Sequence, residues 1–193
     1  MSHSLGPSSS VHYVLLTGKP GIGKSTLVKK VCEELTKKGI NVRGFYTEEV
    51  RKSNGGGRIG FDVVTLSGAR AALARVSDTN AGRQPRVGKY SVNVKLFEDI
   101  AMPVLQEAHS ANSVLIIDEI GKMEMLSEMF CREVKSIFTK PQAILATVPI
   151  GNNSLVKTIQ SLPSAQTFEV DYTNRNSLLN PVVEILLQSV KRC

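Results

Sequence analysis

The sequence has no tryptophan and few other aromatic residues. Aromatic side chains make up 5% of the 193 residues, and they are not interleaved with lysine or arginine. A stacking platform for single-stranded nucleic acid is therefore not predicted. The formal net charge of +7 indicates either attraction to a polyanion, for which nucleotide phosphates suffice, or a basic solvated surface. The basic residues are spread along the chain, which favours the surface, and we expect no specific nucleic-acid partner.

Cysteine, histidine and long apolar runs are also scarce. The three cysteines are far apart, the three histidines are scattered, and no Cys/His spacing typical of a metal site occurs. This pattern favours a reducing, cytoplasmic setting. No apolar run approaches the roughly 20 residues of a membrane-spanning helix, so no membrane partner is expected. Residues 1–10 are rich in serine and glycine and predict a disordered tail or an artificial remnant, followed by a single domain at 11–193.

Short apolar runs alternate with amphipathic segments along the rest of the chain. Strands are predicted at Val11–Thr17, Ile40–Val50, Ile59–Leu66, Lys89–Val94, Ser113–Ile117, Ala143–Val148 and Thr167–Val170. Helices are predicted at Lys24–Lys38, Leu96–Ala108, Met123–Phe138, Leu155–Leu162 and Asn174–Val190. Buried strands that alternate with helices predict an α/β fold with a mainly parallel sheet covered on both faces.

Three details of this pattern are less regular. The glycine cluster at Ser53–Gly57 predicts the tip of a β-hairpin. The segment Ala69–Arg86 has little periodicity and is interpreted as a surface loop. Pro103 predicts an interruption or a later start of its helix, and Pro181 predicts a kink or a later start of the last helix.

A phosphate-binding loop stands between the first strand and the first helix. Residues 18–25 read GKPGIGKS and match GxxxxGK[ST] at every fixed position. The glycines let successive backbone N–H groups point at phosphates, and the helix N-terminus adds its positive dipole. Lys24 is predicted to reach the β- and γ-phosphates, and Ser25 to bind Mg²⁺. The predicted nucleotide-binding residues are Gly18, Lys19, Pro20, Gly21, Ile22, Gly23, Lys24, Ser25 and Thr26.

Two acids follow a buried strand at the same predicted edge of the sheet. Val114–Ile117 is entirely apolar, and Asp118 and Glu119 come directly after it. Asp118 is the predicted Mg²⁺ partner, and Glu119 is predicted to orient or deprotonate an attacking water. The alternative is a pair of solvated acids at a strand end, or an N-cap for the following helix. A glutamate beside the metal aspartate favours water over another hydroxyl as the acceptor, so Lys24 and Glu119 are the predicted catalytic residues.

The sequence leaves the roles of several other residues undecided. A charge stabiliser for the transition state could be any of several arginines. Glu48 or Glu49 shapes the γ-phosphate site or merely pairs with Arg51 at a strand end. The stretch Thr173–Asn176 borders the base or supplies an N-cap. The candidate arginines are Arg51, Arg58, Arg70, Arg132 and Arg175.

Several longer motifs resemble the cancer-related nucleoside-triphosphatase family, whose bacterial and archaeal relatives are described as thermophilic nucleotide phosphatases. The motifs are Gly18–Thr26, GFYTEEVR from Gly44, IGFDVV from Ile59 and VLIIDEIGKM from Val114, within a resemblance that spans about Val11–Val190. The resemblance implies a monomeric RecA-like P-loop domain. It also implies slow, Mg²⁺-dependent hydrolysis of ATP, GTP and other nucleoside triphosphates.

Three functions compete on this basis. The first is a nucleoside-triphosphatase acting on ATP, GTP, CTP and UTP, which the family resemblance favours. The second is a small-molecule or nucleotide kinase that uses the same loop. The third is a nucleotide switch or nucleic-acid partner without enzymatic activity. No NKxD-type guanine motif is evident, so a dedicated GTPase is not predicted.

Overall fold

The structure is a computed structural model that describes residues 12–53, 56–76, 84–108 and 110–192. The predicted tail at residues 1–10 lies outside the described residues. The same holds for the start of the first predicted strand and for parts of the predicted hairpin tip and surface loop. Among the described residues, none of the helices has the length and apolar character that crossing a lipid bilayer requires.

Within the described ranges the chain alternates strands and helices in its first and last thirds, with a run of strands between them. The strands are β1 Tyr13–Thr17, β2 Asn41–Arg51, β3 Arg58–Thr65, β4 Arg70–Val76, β5 Arg86–Val87, β6 Tyr90–Val92, β7 Ser113–Asp118, β8 Ala143–Thr147 and β9 Ala165–Glu169. The helices are α1 Lys24–Lys37, α2 Val94–Gln106, α3 Glu128–Ile137, α4 Ser154–Gln160 and α5 Leu179–Val190, and a 3₁₀ turn occupies Glu124–Leu126.

One mixed sheet organises these elements. Its strand order is β5-β6-β4-β3-β2-β7-β8-β1-β9. In this order, β2, β7, β8, β1 and β9 run parallel to one another. On the other side of β2, the strands β3, β4, β6 and β5 are each antiparallel to their neighbours. β8 separates β1 from β7, and its Ala146 is paired with Leu15 on one side and Ile117 on the other. The ends of β1 and β7 therefore lie at the same level, about 10 Å apart at the usual strand spacing.

Helices cover both faces of the parallel half. All six residues of β7 are buried, and its four apolar residues alternate between two apolar clusters. Leu115 and Ile117 pack in the cluster that includes residues of α2, α3 and α4. Val114 and Ile116 pack in the cluster that includes residues of α1 and α5. Burial on both faces explains why this strand is a continuous apolar run and not an alternating one.

The antiparallel half is larger than the predicted single hairpin. The segment interpreted as a surface loop contains strand β4, which pairs with β3 and with β6, and Arg86 begins β5. The loop interpretation is therefore wrong for these residues. Leu73 and Ala74 of β4 are buried in the core. Pairing with β3 gives this backbone its hydrogen bonds, and that partner is not visible in the local periodicity.

The predicted helix Met123–Phe138 is also two elements. The 3₁₀ turn comes first, and α3 starts only at Glu128. Ser127 separates them, because its side chain accepts a hydrogen bond from the backbone N–H of Phe130 at 2.9 Å and so caps α3. This break changes the surroundings of Glu124, which becomes a residue of a buried turn.

The two prolines have different outcomes. Pro103 lies inside α2, which continues without interruption to Gln106, so the predicted interruption or later start there is wrong. Pro181 lies in the first turn of α5, where a missing N–H is tolerated. The later start that Pro181 predicted for the last helix is therefore confirmed, with Leu179 as the first helical residue.

Candidate nucleotide hydrolysis site

The loop between β1 and α1 turns at its glycines. Gly18, Gly21 and Gly23 have φ angles of 145°, 76° and 113°, in the region that side chains rarely adopt. Gly18 also lies against the backbone of the residue after β9. A Cβ atom on Gly18 would be 2.5 Å from the carbonyl oxygen of Val170, so only glycine fits there. The loop is thereby held between β1 and β9.

The N-terminus of α1 directly follows this loop. Its N-cap is Gly23, which supplies no side-chain hydrogen bond to the first turn. The first-turn N–H groups at Ser25 and Thr26 therefore donate to no capping side chain, and they lie at the positive end of the helix dipole, which favours anions. The Lys24 amine donates hydrogen bonds to the carbonyl oxygens of Gly18 at 2.8 Å and Lys19 at 3.3 Å. These contacts hold the amine across the loop.

Asp118 ends β7 in a buried position. It is 1% exposed, and its Oδ1 atom accepts a hydrogen bond from the Thr147 hydroxyl of β8 at 2.5 Å. Its Oδ2 atom is buried and has no hydrogen-bond partner within the part of the chain that the structure describes. Burial raises the pKa of Asp118, and the hydroxyls of Thr147 and Ser25 oppose that rise. The Ser25 hydroxyl lies close enough to lower the pKa of the Asp118 carboxyl group, although it makes no hydrogen bond to Oδ2.

Glu119 is half-buried and directly follows Asp118 at the end of β7. Burial raises the pKa of the Glu119 carboxyl group, the negative charge of Asp118 raises it further, and Lys24 lowers it. Glu119 and Lys24 both line one cavity. A carboxyl group beside a lysine in a partly water-excluded cavity is the type of group that accepts a proton during catalysis.

The cavity has a volume of about 660 Å³, which is within the range of ligand pockets. Its walls come from four parts of the fold: the phosphate-binding loop with the start of α1, the segment after β7, the segment after β8, and strands β2, β3 and β5 of the antiparallel half. Of the predicted nucleotide-binding residues, seven line it: Gly18, Pro20, Gly21, Gly23, Lys24, Ser25 and Thr26. The Ile22 side chain packs in the core at 3% exposure, and Lys19 contributes the carbonyl group that Lys24 contacts.

Glu48 and Glu49 line the cavity and also form ion pairs. Glu49 pairs with Arg51 and with Arg58. Glu48 pairs with Lys29 of α1 at 3.4 Å and with Arg70 of β4 at 2.5 Å. Glu49 makes the ion pair with Arg51 that one interpretation predicted, and a role of either glutamate at the γ-phosphate stays a prediction.

The five candidate arginines are separated by the fold. Arg58 of β3 lines the cavity, where its guanidinium lies 5.1 Å from the centre of the Phe61 ring. Arg175 is on another side of the loop, with Nη1 3.5 Å from the carbonyl oxygen of Ile22. The sequence could not distinguish them, because the position of β3 beside the cavity depends on pairing across the sheet.

The stretch Thr173–Asn176 adjoins the phosphate-binding loop through Arg175. The interpretation of Thr173 or Asn174 as an N-cap of the last helix is wrong, because α5 has its N-cap at Leu178. Instead, the backbone N–H groups of Thr173 and Asn174 donate to Asp171 at 2.7 and 2.9 Å. These bonds form a separate turn beside the loop.

The sequence also missed Glu124. This residue lines the cavity together with Glu119 and is 3% exposed. A single glutamate in an apparently amphipathic helix is normally assigned to the solvent face. The only available signal was its position five residues after Glu119, which does not by itself indicate proximity.

A comparison of the sequence with protein families gives a match that spans the loop and both acids. A sequence profile described as NTPase matches residues 13–183. The chain belongs to the NTPase family. The predicted class of enzyme, a nucleoside-triphosphatase, is confirmed by this membership, and the kinase alternative is not supported.

Individual members of the NTPase family are similar over nearly the whole chain. The cancer-related nucleoside-triphosphatase of Homo sapiens is 44% identical over 93% of this chain and 98% of its own. The nucleoside-triphosphatase THEP1 of Thermotoga maritima is 42% identical over 90% of this chain and 94% of its own. The predicted family resemblance is confirmed by these matches.

Solved structures of family members confirm the α/β P-loop fold. The solution structure of the human cancer-related nucleoside triphosphatase has a TM-score of 0.80 at 43% identity, covering 93% of this chain and 99% of its own. The crystal structure of THEP1 from the hyperthermophile Aquifex aeolicus has a TM-score of 0.79 at 38% identity, covering 90% of this chain and 98% of its own. The similarity includes both halves of the sheet at these coverages.

Proposed function

We propose that this chain hydrolyses the γ-phosphate of nucleoside triphosphates to give a nucleoside diphosphate and phosphate. The observation that carries the proposal is that Lys24, Ser25 and Glu119 line one cavity. A phosphate-binding loop alone binds nucleotides, whereas a carboxylate in the same cavity supplies a partner for water. The proposed substrates are ATP, GTP, CTP and UTP, with slow turnover by a monomer, as the family resemblance implies.

The loop residues are proposed to bind the triphosphate. Backbone N–H groups at 18–26 would point at the phosphate oxygens, and the dipole of α1 favours their negative charge. Lys24 would exchange its contacts with the carbonyls of Gly18 and Lys19 for the β- and γ-phosphates. Its charge would then lie where negative charge develops during transfer.

The residues present fit a magnesium ion. Asp118 has a buried oxygen without a hydrogen-bond partner among the described residues, and the Ser25 hydroxyl acts on the same carboxyl group. Within those residues, no group of three or more His, Cys, Asp and Glu forms a metal site. Mg²⁺ takes only one or two protein oxygens beside phosphates and water. Ser25 and Asp118 would hold it, and when bound it neutralises charge on the phosphates.

Glu119 is proposed to act on the attacking water. It would accept a proton as the water oxygen forms a bond to the γ-phosphorus. The bond between the γ-phosphorus and the oxygen that bridges to the β-phosphate breaks at the same time, and that oxygen leaves with the diphosphate. Positioning and charge stabilisation supply most of the rate in phosphoryl transfer, so the role of Glu119 depends on its place in the cavity.

A panel of nucleotides tests this function. With Mg²⁺, we expect phosphate release from ATP, GTP, CTP and UTP at rates within about tenfold of one another, since no base-specific hydrogen bond is assigned. Addition of a chelator should abolish release from all four. The rates are measured with a phosphate-binding assay, and sedimentation in the same buffer reports the oligomeric state. Release that continues in excess chelator, or none from any triphosphate that binds, would contradict the proposal.

Arg58 is the proposed charge stabiliser among the five arginines. It borders the cavity, and Glu49 and the Phe61 ring hold its guanidinium. Arg58→Ala should lower kcat about tenfold, the effect of losing one hydrogen bond to a charged group, with a smaller change in KM. Steady-state kinetics with ATP measure both quantities.

Arg51→Ala is the matched control for Arg58. Arg51 pairs with the same glutamate but is 64% exposed, and it is not among the residues that line the cavity. Its replacement should leave kcat within about twofold, as is usual for an exposed ion pair. Equal losses in both variants would assign the effect to Glu49, whereas an unchanged kcat in Arg58→Ala would remove Arg58 from the mechanism.

A further inference from the structure

Glu124 is a buried carboxyl group on the wall of the catalytic cavity. It begins the 3₁₀ turn after β7 and is 3% exposed. Backbone N–H groups of Gly121 and of Glu124 itself favour the ionised form of the carboxyl group and so lower its pKa, against the larger effect of burial. Among the described residues it takes part in none of the ion pairs. A buried acid without a cation is unfavourable unless it stays neutral.

Gly121 brings Glu124 and Glu119 together. A Cβ atom on Gly121 would lie closer than 3.0 Å to Oε1 of Glu119 and also to Oε2 of Glu124. The two oxygens therefore lie at most about 5 Å apart, which is within the roughly 5.4 Å that one water can span with hydrogen bonds of about 2.7 Å on each side. Both side chains line the cavity, and their oxygens occupy the space that a side chain at residue 121 would need.

The surroundings of Glu124 keep its carboxyl group protonated at neutral pH. Burial raises the pKa of Glu124 to about 8, and the negative charges of Glu119 and Asp118 add to this effect. Lys122 lines the same cavity. Helix α2 packs against the turn, and its Glu98 accepts a hydrogen bond from the Ser127 hydroxyl at 2.6 Å.

We propose that Glu124 and Glu119 together hold the water that attacks the γ-phosphate. Each carboxyl group accepts a hydrogen bond from one of the two O–H groups of the water. This inference rests on the proposed function. With both O–H groups engaged, a lone pair of the water oxygen faces the phosphorus. The proton of the O–H that donates to Glu119 moves to Glu119 as the new P–O bond forms. The O–H that donates to Glu124 stays intact and remains on the phosphate product. Glu124 is thus a second catalytic carboxyl group with no net proton transfer of its own.

The neutral state of Glu124 is part of this role. Its carbonyl oxygen can accept a hydrogen bond from water without adding a second negative charge beside the triphosphate. Ionisation would add that charge next to the transferring phosphoryl group, whose oxygens carry the negative charge of the transition state. The rate should therefore fall as Glu124 ionises.

Three variants test the proposal, with kcat for Mg²⁺–ATP measured from pH 6 to 10, a range set to about two units on either side of the relevant pKa. Wild type should lose activity above about pH 8. Glu124→Gln keeps an acceptor oxygen and cannot ionise, so its kcat should not show that alkaline decline. Glu124→Met lacks the acceptor and should lose kcat about tenfold with KM unchanged. Glu128→Gln, an exposed acid in the next helix, should match wild type throughout.

Thermal unfolding provides a readout that does not depend on turnover. The pKa of folded Glu124 lies above its ordinary value of 4.5. Its neutral form therefore stabilises the fold fully below that value, and the contribution is lost as pH rises through about 8. The Tm of wild type should fall relative to that of Glu124→Gln across this window. A difference in Tm between wild type and Glu124→Gln that does not change with pH would overturn the neutral state of Glu124.

The outcomes separate the two proposals. An alkaline decline that persists unchanged in Glu124→Gln, or full activity in Glu124→Met, would overturn the role of Glu124 while leaving triphosphate hydrolysis intact. Absence of hydrolysis in wild type, with the predicted shift in Tm present, would overturn the proposed function instead. Equal loss of kcat in Glu124→Gln and Glu124→Met would also contradict the acceptor role, since only one of them lacks the oxygen.

Discussion

Replacing Glu119 with glutamine is expected to lower kcat for ATP by about 10²- to 10⁴-fold, the contribution of a positioned general base. The amide keeps the shape of the side chain but cannot accept the proton of the attacking water. The phosphate-binding loop is unchanged, so the Kd of a non-hydrolysable ATP analogue should stay within about threefold, an effect of less than 1 kcal/mol. Single-turnover kinetics measure the chemical step, and calorimetry measures binding.

Glu184→Gln is the control for this experiment. Glu184 is an exposed glutamate on α5, and its replacement should change neither kcat nor Kd. A parallel loss of binding and turnover in Glu119→Gln would indicate that Glu119 supports the fold of the cavity. Unimpaired turnover would show that another group accepts the proton, and the buried neighbour Glu124 would then be examined as the base.

Replacing Lys24 with alanine is expected to weaken the binding of triphosphates about 100-fold, toward the upper end of what a charged hydrogen-bond donor contributes. The amine spans the loop through the carbonyl groups of Gly18 and Lys19, from which it can turn to the phosphates. It should act on the β- and γ-phosphates and not on the α-phosphate. The loss should therefore be large for ATP, smaller for ADP and absent for AMP, as measured by calorimetry with Mg²⁺.

Lys30→Ala provides the matched control for Lys24. Lys30 is an exposed lysine of the same helix and is absent from the residues that line the cavity. It removes one positive charge from α1 without removing a phosphate contact, so ATP affinity should change less than about threefold. A similar loss in both variants would reduce the effect to net charge. Equal losses for ATP and AMP in Lys24→Ala would place the amine elsewhere than at the terminal phosphates.

The parallel half of the fold was predictable because its signals are local. A strand that is buried on both faces must be apolar throughout, as in Val114–Ile117, and the helix that follows β1 has its own periodicity and ends near Gly39. The antiparallel half was only partly predictable. Strand β4 depends on β3 and β6 for its hydrogen bonds, and a strand of small and basic residues resembles a loop until those partners are known.

The candidate site divides in the same way. Lys24, Ser25, Asp118 and Glu119 belong to short motifs in which residue type and spacing carry the chemistry. Arg58 and Glu124 belong to no motif. Arg58 reaches the cavity because β3 extends the sheet beside β2, and Glu124 lies in a short turn that Ser127 separates from α3.

The sequence by itself determined that this protein has a phosphate-binding loop, two acids at the end of a buried strand, and the motifs of a nucleoside-triphosphatase family. Those features are contiguous, so local sterics and periodicity are enough to define them. Only the tertiary structure decided which arginine borders the cavity, and that Glu124 lies beside Glu119 across Gly121. Contacts between residues distant in the chain follow from the packing of whole elements. Burial, which sets the protonation of Glu124, is a property of that packing.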